Sequence, residues 1–164
     1  MHKRPRWYLE MTALEQLRPA RPVNSRLELR RCDDLSLFRA IHWRVATPHG
    51  WSSLRWSDER WAEEFERPCV QRWIAQVGDE AVGIGAVDMP RSGDFEITDF
   101  GLVPENIGRG LGGQLLSVVM EMLWGAGARR IWLHTQYSDH EHALQNYLSR
   151  GFNIFQTEEA PPRP

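Results

Sequence analysis

The chain reads as an α/β (α+β) domain, a mixed and mostly antiparallel sheet of six to seven strands flanked by about four helices. Three observations predict it. Apolar periodicity switches between 2 and 3.6 in the order β-α-α-β-β-β-α-β-α-β. The three central strands are joined by short turns, which makes them antiparallel neighbours. Over 164 residues, 41% hydrophobic and 26% charged, there is enough apolar surface for one buried core and too little for two.

Residues 1–24 hold Pro19 and Pro22 and lack clear periodicity, so they read as an N-terminal arm or added edge segment. The domain is expected over 25–158, with 159–164 as a tail. Leu27 and Leu29 alternate with polar neighbours as a first strand. Asp33 or Asp34 then caps a helix carrying Leu35, Leu37, Phe38 and Ile41. After a loop with Pro48 and Gly50, Ser57 caps a short helix that Pro68 ends. Val70 to Val77 and Ala81 to Met89 form a hairpin about Gly-Asp-Glu, and Pro90 to Gly93 turns the chain into a strand from Phe95 to Val103. Leu111, Leu115, Leu116, Val119, Met122 and Leu123 mark an amphipathic helix stopped by Gly125 and Gly127. Arg130 to Thr135 is the next strand. Asp139 is placed to cap a helix with Ala143, Leu144 and Tyr147, which Gly151 ends before a last strand from Phe152 to Thr157.

A net charge of −2 and a pI near 6.3 argue against nucleic acid as a partner, so any anion site must be local. Cys32 and Cys69 form no C-x-x-C pair, and no histidine pattern has zinc spacing, so no metal is expected. No leader and no run of about 18 apolar residues is seen, which points to a cytoplasmic protein with no membrane partner.

Between Phe95 and Ser117 a strand, a glycine-packed turn and a helix start follow in sequence. The free N–H groups of a first helical turn, carrying roughly +0.5 charge, favour a pyrophosphate there. Gly108, Gly110 and Gly113 match G-x-G-x-x-G, which brings a dinucleotide site into view. That site wants an acidic residue about 20 positions on, at the end of the next strand, and a loop that opens a parallel sheet. Here the strand ends in Leu133, His134 and Thr135, and the loop follows an antiparallel meander. A P-loop lacks its Gly-Lys-Ser/Thr.

The sequence Leu102-Val103-Pro104, the run Ile107-Gly108-Arg109-Gly110-Leu111-Gly112, and H-A-L-Q-N-Y-L-S-R-G-F with Ala143, Tyr147, Gly151 and Phe152 in register resemble the GNAT superfamily of N-acetyltransferases, over about Leu27 to Thr157. The stretch from His134 to Tyr147 is similar to that of an uncharacterised bacterial subset. Two positions depart from the family pattern: Ile107 replaces Arg or Gln, and His140 stands where Asn is usual. The resemblance implies acetyl-CoA as co-substrate, held by Leu102, Val103, Ile107, Gly108, Arg109, Gly110, Leu111, Gly112, Gly113, His140 and Ala143. It implies a small-molecule or peptide primary amine as acceptor, and homodimers are common in such proteins.

Amide formation from a thioester needs a base for the amine, an oxyanion partner and a proton for the thiolate. Glu96 matches a general-base position of some family members. Asp99, three residues on, is the reserve, on the opposite pleat unless a bulge intervenes. Tyr147, with an ordinary pKa of about 10, is matched to a thiolate of about 8.5 as general acid. His134 is a further candidate base. Trp43, Trp51 and Trp56 flank the loop that lies over the acceptor pocket in the family, where rings suit a flat or cationic amine. A non-catalytic acyl-CoA sensor, signalled by Ile107 and His140, is the alternative reading, and a dinucleotide-binding protein is a lesser one.

Overall fold

A computed structural model describes residues 4–23 and 26–161. The elements run β1 Pro5–Met11, β2 Leu27–Arg31, α1 Leu35–Ala46, α2 Asp58–Phe65, β3 Val70–Val77, β4 Glu80–Asp88, β5 Asp94–Leu102, α3 Leu111–Gly125, β6 Arg130–Gln136, α4 Ala143–Ser149 and β7 Asn153–Glu159. Seven strands form one sheet in the order β2-β3-β4-β5-β6-β1-β7. Among the described residues only β5 and β6 run parallel, and every other pair is antiparallel. The predicted strands and helices from Leu27 onward are all present within a few residues of their expected ends.

The N-terminal segment departs from its predicted role as an arm or added edge segment. β1 lies inside the sheet, with Leu9 opposite Leu133 of β6 on one side and Ile154 of β7 on the other. Its period-two pattern explains why: Trp7, Leu9 and Met11 point to the α3 face, where Leu9 and Met11 are fully buried. Pro5–Met11 is therefore an integral strand of the sheet. At the other end Ala160 is buried and donates its N–H to the Arg4 carbonyl, so the supposed tail is anchored up to there. Residues 162–164 lie outside those described.

Each face of the sheet carries its own core. On one, Leu115, Leu116, Val119, Met120 and Leu123 of α3 pack on Ile131, Leu133 and Leu9. On the other, Phe38, Ile41 and Val45 of α1 and Trp61 of α2 pack on Ile74, Ile84 and Ala86. The spacing 38, 41, 45 puts these α1 residues on one helical stripe. Asp34 caps α1 by accepting from the Leu37 N–H at 3.0 Å, and Ser57 caps α2 through the Arg60 N–H at 3.2 Å, both as expected. Gly101 lets α1 approach β5 closely: a Cβ there would sit 2.5 Å from Val45 Cγ1. Among the described residues no helix is long and apolar enough to cross a membrane.

Candidate active site

The site begins where a pairing stops. β5 and β6 are hydrogen-bonded only at Asp94–Arg130, Phe95–Ile131 and Glu96–Trp132, and beyond these residues the two strands splay. Residues 97–102 and 133–136 then face each other across a cleft of about 710 Å³. On one side of the sheet the cleft reaches the start of α3, and on the other it runs beneath α1 and α2. It joins the two faces of the molecule where the sheet opens between β5 and β6.

At the α3 end, the chain leaves a turn at Pro104–Asn106 and passes Gly108 and Gly110 at φ +84° and +75°. That conformation costs an L-residue roughly 1–2 kcal/mol, so glycine belongs there. Gly110 is the N-cap of α3 and supplies no side chain, so no side chain caps the first-turn donors that face the cleft past Gly112 and Gly113. Arg150, at the end of α4, brings its guanidinium to the same place: Nη1 lies 2.7 Å from where a Gly113 Cβ would be. Its Nε is buried and has no partner among the described residues. Uncapped donors, close-approach glycines and an orphaned guanidinium fit a pyrophosphate-bearing group.

Of the residues expected to hold the co-substrate, Leu102, Ile107, Gly108, Gly110, Gly112, Gly113, His140 and Ala143 line the cleft. Arg109, Leu111 and Val103 do not. Leu111 is in the α3-face core, and Val103 is buried with its N–H donated to the Val82 carbonyl at 2.9 Å. Asp139 does not cap α4, whose N-cap is His142. It accepts instead from Thr135 Oγ1 at 2.7 Å, the Gln136 N–H at 3.0 Å and Trp51 Nε1 at 3.2 Å, tying both walls together at the cleft.

The bulge that decides between the two carboxylates is present. Ala86 pairs with Asp99 but Val87 with Ile97, so Thr98 is an extra residue in β5 and turns Asp99 onto the face that Glu96 shares. Only Asp99 lines the cleft. Glu96 stands behind it, half-buried near Asp88 and Arg67; burial first, then Asp88, pushes its carboxyl above the usual range. The first-choice base is therefore set back from the cleft.

A side chain that the sequence reading passed over faces Asp99. His42 of α1 is 1% exposed, with Nε2 3.5 Å from Asp99 Oδ1 and 3.4 Å from Ser53 Oγ. Its ring sits edge-on against Trp61 at 4.9 Å and Trp51 at 5.4 Å. The signal was its place four residues after Phe38 on the buried stripe, where a polar residue requires a partner. Trp51 and Trp56 line the cleft as expected, but Trp43 is 52% exposed on the outer side of α1, and Trp61 takes its place. His134 lines the cleft with burial, then Arg6, holding its pKa below the ordinary value.

Tyr147 also reaches the cleft, at 7% exposure. Burial, reinforced by the charge of Asp139, pushes its phenol far above the usual range. The phenol is therefore held neutral, as a hydrogen-bond donor at the cleft.

Residues 37–152 match the model of the acetyltransferase (GNAT) family, well over half of the chain. The chain belongs to the GNAT family. Among the described residues the mostly antiparallel sheet, with one parallel pair, is not a doubly wound dinucleotide fold. Its fold is similar to that of a GCN5-related N-acetyltransferase from Sphaerobacter thermophilus, with TM-score 0.73 and 17% identity over 96% of this chain and 50% of that one. It is also similar to a functionally unknown conserved protein from Staphylococcus epidermidis, with TM-score 0.64 and 21% identity over 94% and 58%. The chain thus spans between half and three-fifths of the length of these two. A Bacillus subtilis acetyltransferase in complex with CoA matches with TM-score 0.61 and 21% identity over 81% and 79%. At these identities the likeness shows the fold alone. No curated protein matches the sequence significantly.

Proposed function

We propose that this protein is an acetyl-CoA-dependent N-acetyltransferase that acts on a primary amine by direct attack within a ternary complex. The observation that carries the reading is the continuity of the cleft, from the uncapped start of α3 through the β5–β6 splay to Asp99. When bound, acetyl-CoA supplies a thioester, whose C–S bond breaks as the amine nitrogen bonds to the carbonyl carbon.

The protein's own residues divide the remaining work. Gly108, Gly110, Gly112 and Gly113 bring backbone N–H groups to the phosphates, and Arg150 adds charge. The unpaired edge of β5, up to Leu102, offers backbone groups along the splay. Asp99 takes the amine proton, directly or through a water, and His42, whose Nε2 also meets Ser53 Oγ, holds its side chain in place. Tyr147 donates a hydrogen bond toward the departing sulfur, and the thiolate's proton comes from solvent.

Thermal unfolding with acetyl-CoA, CoA, NADH and ATP in parallel, followed by thiol release with a panel of primary amines, tests this reading. Stabilisation by acetyl-CoA and CoA alone, about 2.7 kcal/mol at 100 times Kd, with amine-dependent thiol release is expected. Binding without release for any amine would support a non-catalytic acyl-CoA sensor. Stabilisation by NADH would revive the dinucleotide reading.

A further inference from the structure

Resting on that acetyltransferase reading, the charge pattern of the acceptor end points to a substrate class: we infer that the acceptor is a small primary amine with one positive charge, carried on a flat aromatic group. Beneath α1 and α2 the cleft is walled by Phe38, Trp51, Trp56, Trp61 and Phe65. The rings adjoin one another, with centroids 6.2 Å apart for Phe38 and Phe65 and 5.1 Å for Trp56 and Trp61, and His42 bridges Phe38 to Trp61. Such a wall favours a flat apolar body against its ring faces.

Which charges remain for a ligand decides the rest. Three carboxylates line the whole cleft among the described residues: Glu64, Asp99 and Asp139. Glu64 is paired with Arg60 at 3.6 Å and Arg67 at 3.4 Å, and Asp139 already accepts three hydrogen bonds. Asp99 has the imidazole edge of His42 and the nearby charge of Arg72, but no hydrogen-bonded carboxylate–guanidinium pair among the described residues. A polyamine would bury a second ammonium against rings with no carboxylate to meet it, which is costly.

The cations at this end are equally committed. Arg67 holds Asp88 at 2.6 Å. Arg72, stacked on Phe65 at 4.4 Å, donates to the Phe65 carbonyl at 3.0 Å and to the Glu64 carbonyl. An amino acid would bring a second negative charge beside Asp99, where Arg67 is held by Asp88 and Arg72 is turned to backbone carbonyls. One ammonium at Asp99 and an uncharged ring among the tryptophans satisfy every group.

The test compares 2-phenylethylamine, n-butylamine, spermidine and phenylalanine by kcat/KM and, with CoA present, by quenching of tryptophan fluorescence. Phenylethylamine is expected to lead each of the others by about tenfold or more, since each buried methylene-sized contact is worth roughly tenfold and an unpaired charge costs more. In Trp56→Leu, at a half-buried position, the ratio of phenylethylamine to butylamine should fall severalfold. Preference for spermidine or phenylalanine, or an unchanged ratio in the variant, overturns the class while leaving acetyl transfer intact. Selective quenching by phenylethylamine with no thiol release keeps the class and overturns the acetyltransferase reading. Absence of both quenching and turnover with phenylethylamine overturns the class.

Discussion

At the α3 end the cleft is walled by backbone, and at the α1/α2 end by side chains. The first end depends on glycines at positive φ and on an uncapped helix start, features that a run of consecutive residues brings together unaided. The second assembles His42, Trp51, Trp61 and Asp99 from three elements and a loop, and nothing but their packing brings them into one place. A backbone site tolerates changes of side chain at most of its positions, as Ile107 in place of the family's Arg or Gln illustrates. A site of side chains does not, so the two ends should fail differently when mutated.

The largest difference is expected from Asp99→Asn. Loss of a general base should lower kcat/KM for the amine by roughly 10²–10⁴-fold, while the acetyl-CoA-induced shift in Tm stays as in the wild type. Glu96→Gln, one pleat behind, should stay within about threefold. If the two exchange these outcomes, Glu96 is the base and the bulge at Thr98 has no catalytic consequence.

Next in size is Gly101→Val, which aims at the seam between the two ends. Its Cβ would meet Val45 at 2.5 Å, so α1 must shift away from β5. A loss of about 1–3 kcal/mol in urea unfolding is expected, together with a larger rise in KM for amine than for acetyl-CoA. Arg150→Gln aims at the other end alone. Loss of one charge-assisted contact to phosphate, worth roughly 1.5–3 kcal/mol, should raise the acetyl-CoA Kd about tenfold or more and weaken its dependence on salt, with KM for amine unchanged.

The smallest effect is one of pH. Glu96 is raised in the folded state, so its folded form binds the proton more tightly than the unfolded chain does. The stability that this contributes is fully present below the unfolded carboxyl value and is lost as pH rises through the folded one. Glu96→Gln should therefore match the wild type near pH 4 and exceed it in urea midpoint at pH 7 to 8. A gap that widens toward acid would reverse the sign and place Glu96 in a favourable ion pair.

How far the sequence reaches follows the same division. The order of elements, the caps at Asp34 and Ser57, and the glycine loop into α3 are local, and each was legible from period, cap residue or turn chemistry. β1 was misread although Trp7, Leu9 and Met11 alternate correctly, because two prolines and a loop separate it from the next regular strand and its partners, β6 and β7, lie over a hundred residues away. Glu96 was preferred to Asp99 because an unbulged strand puts them on opposite faces, and one extra residue opposite β4 reverses that. His42, Trp61 and Arg150 carry no motif at all; their importance comes from what faces them.

By itself the sequence determined the family, the strand-loop-helix that cradles an anion, and the positions of the glycines, because these depend on dihedral preferences and spacing within a few residues. Tertiary structure decided which carboxylate reaches the cleft, which tryptophans wall it, and that the buried Arg150 Nε lacks a partner among the described residues. Those outcomes turn on register, splay and burial between segments far apart in the chain, where a shift of one residue moves a side chain to the other face of the sheet.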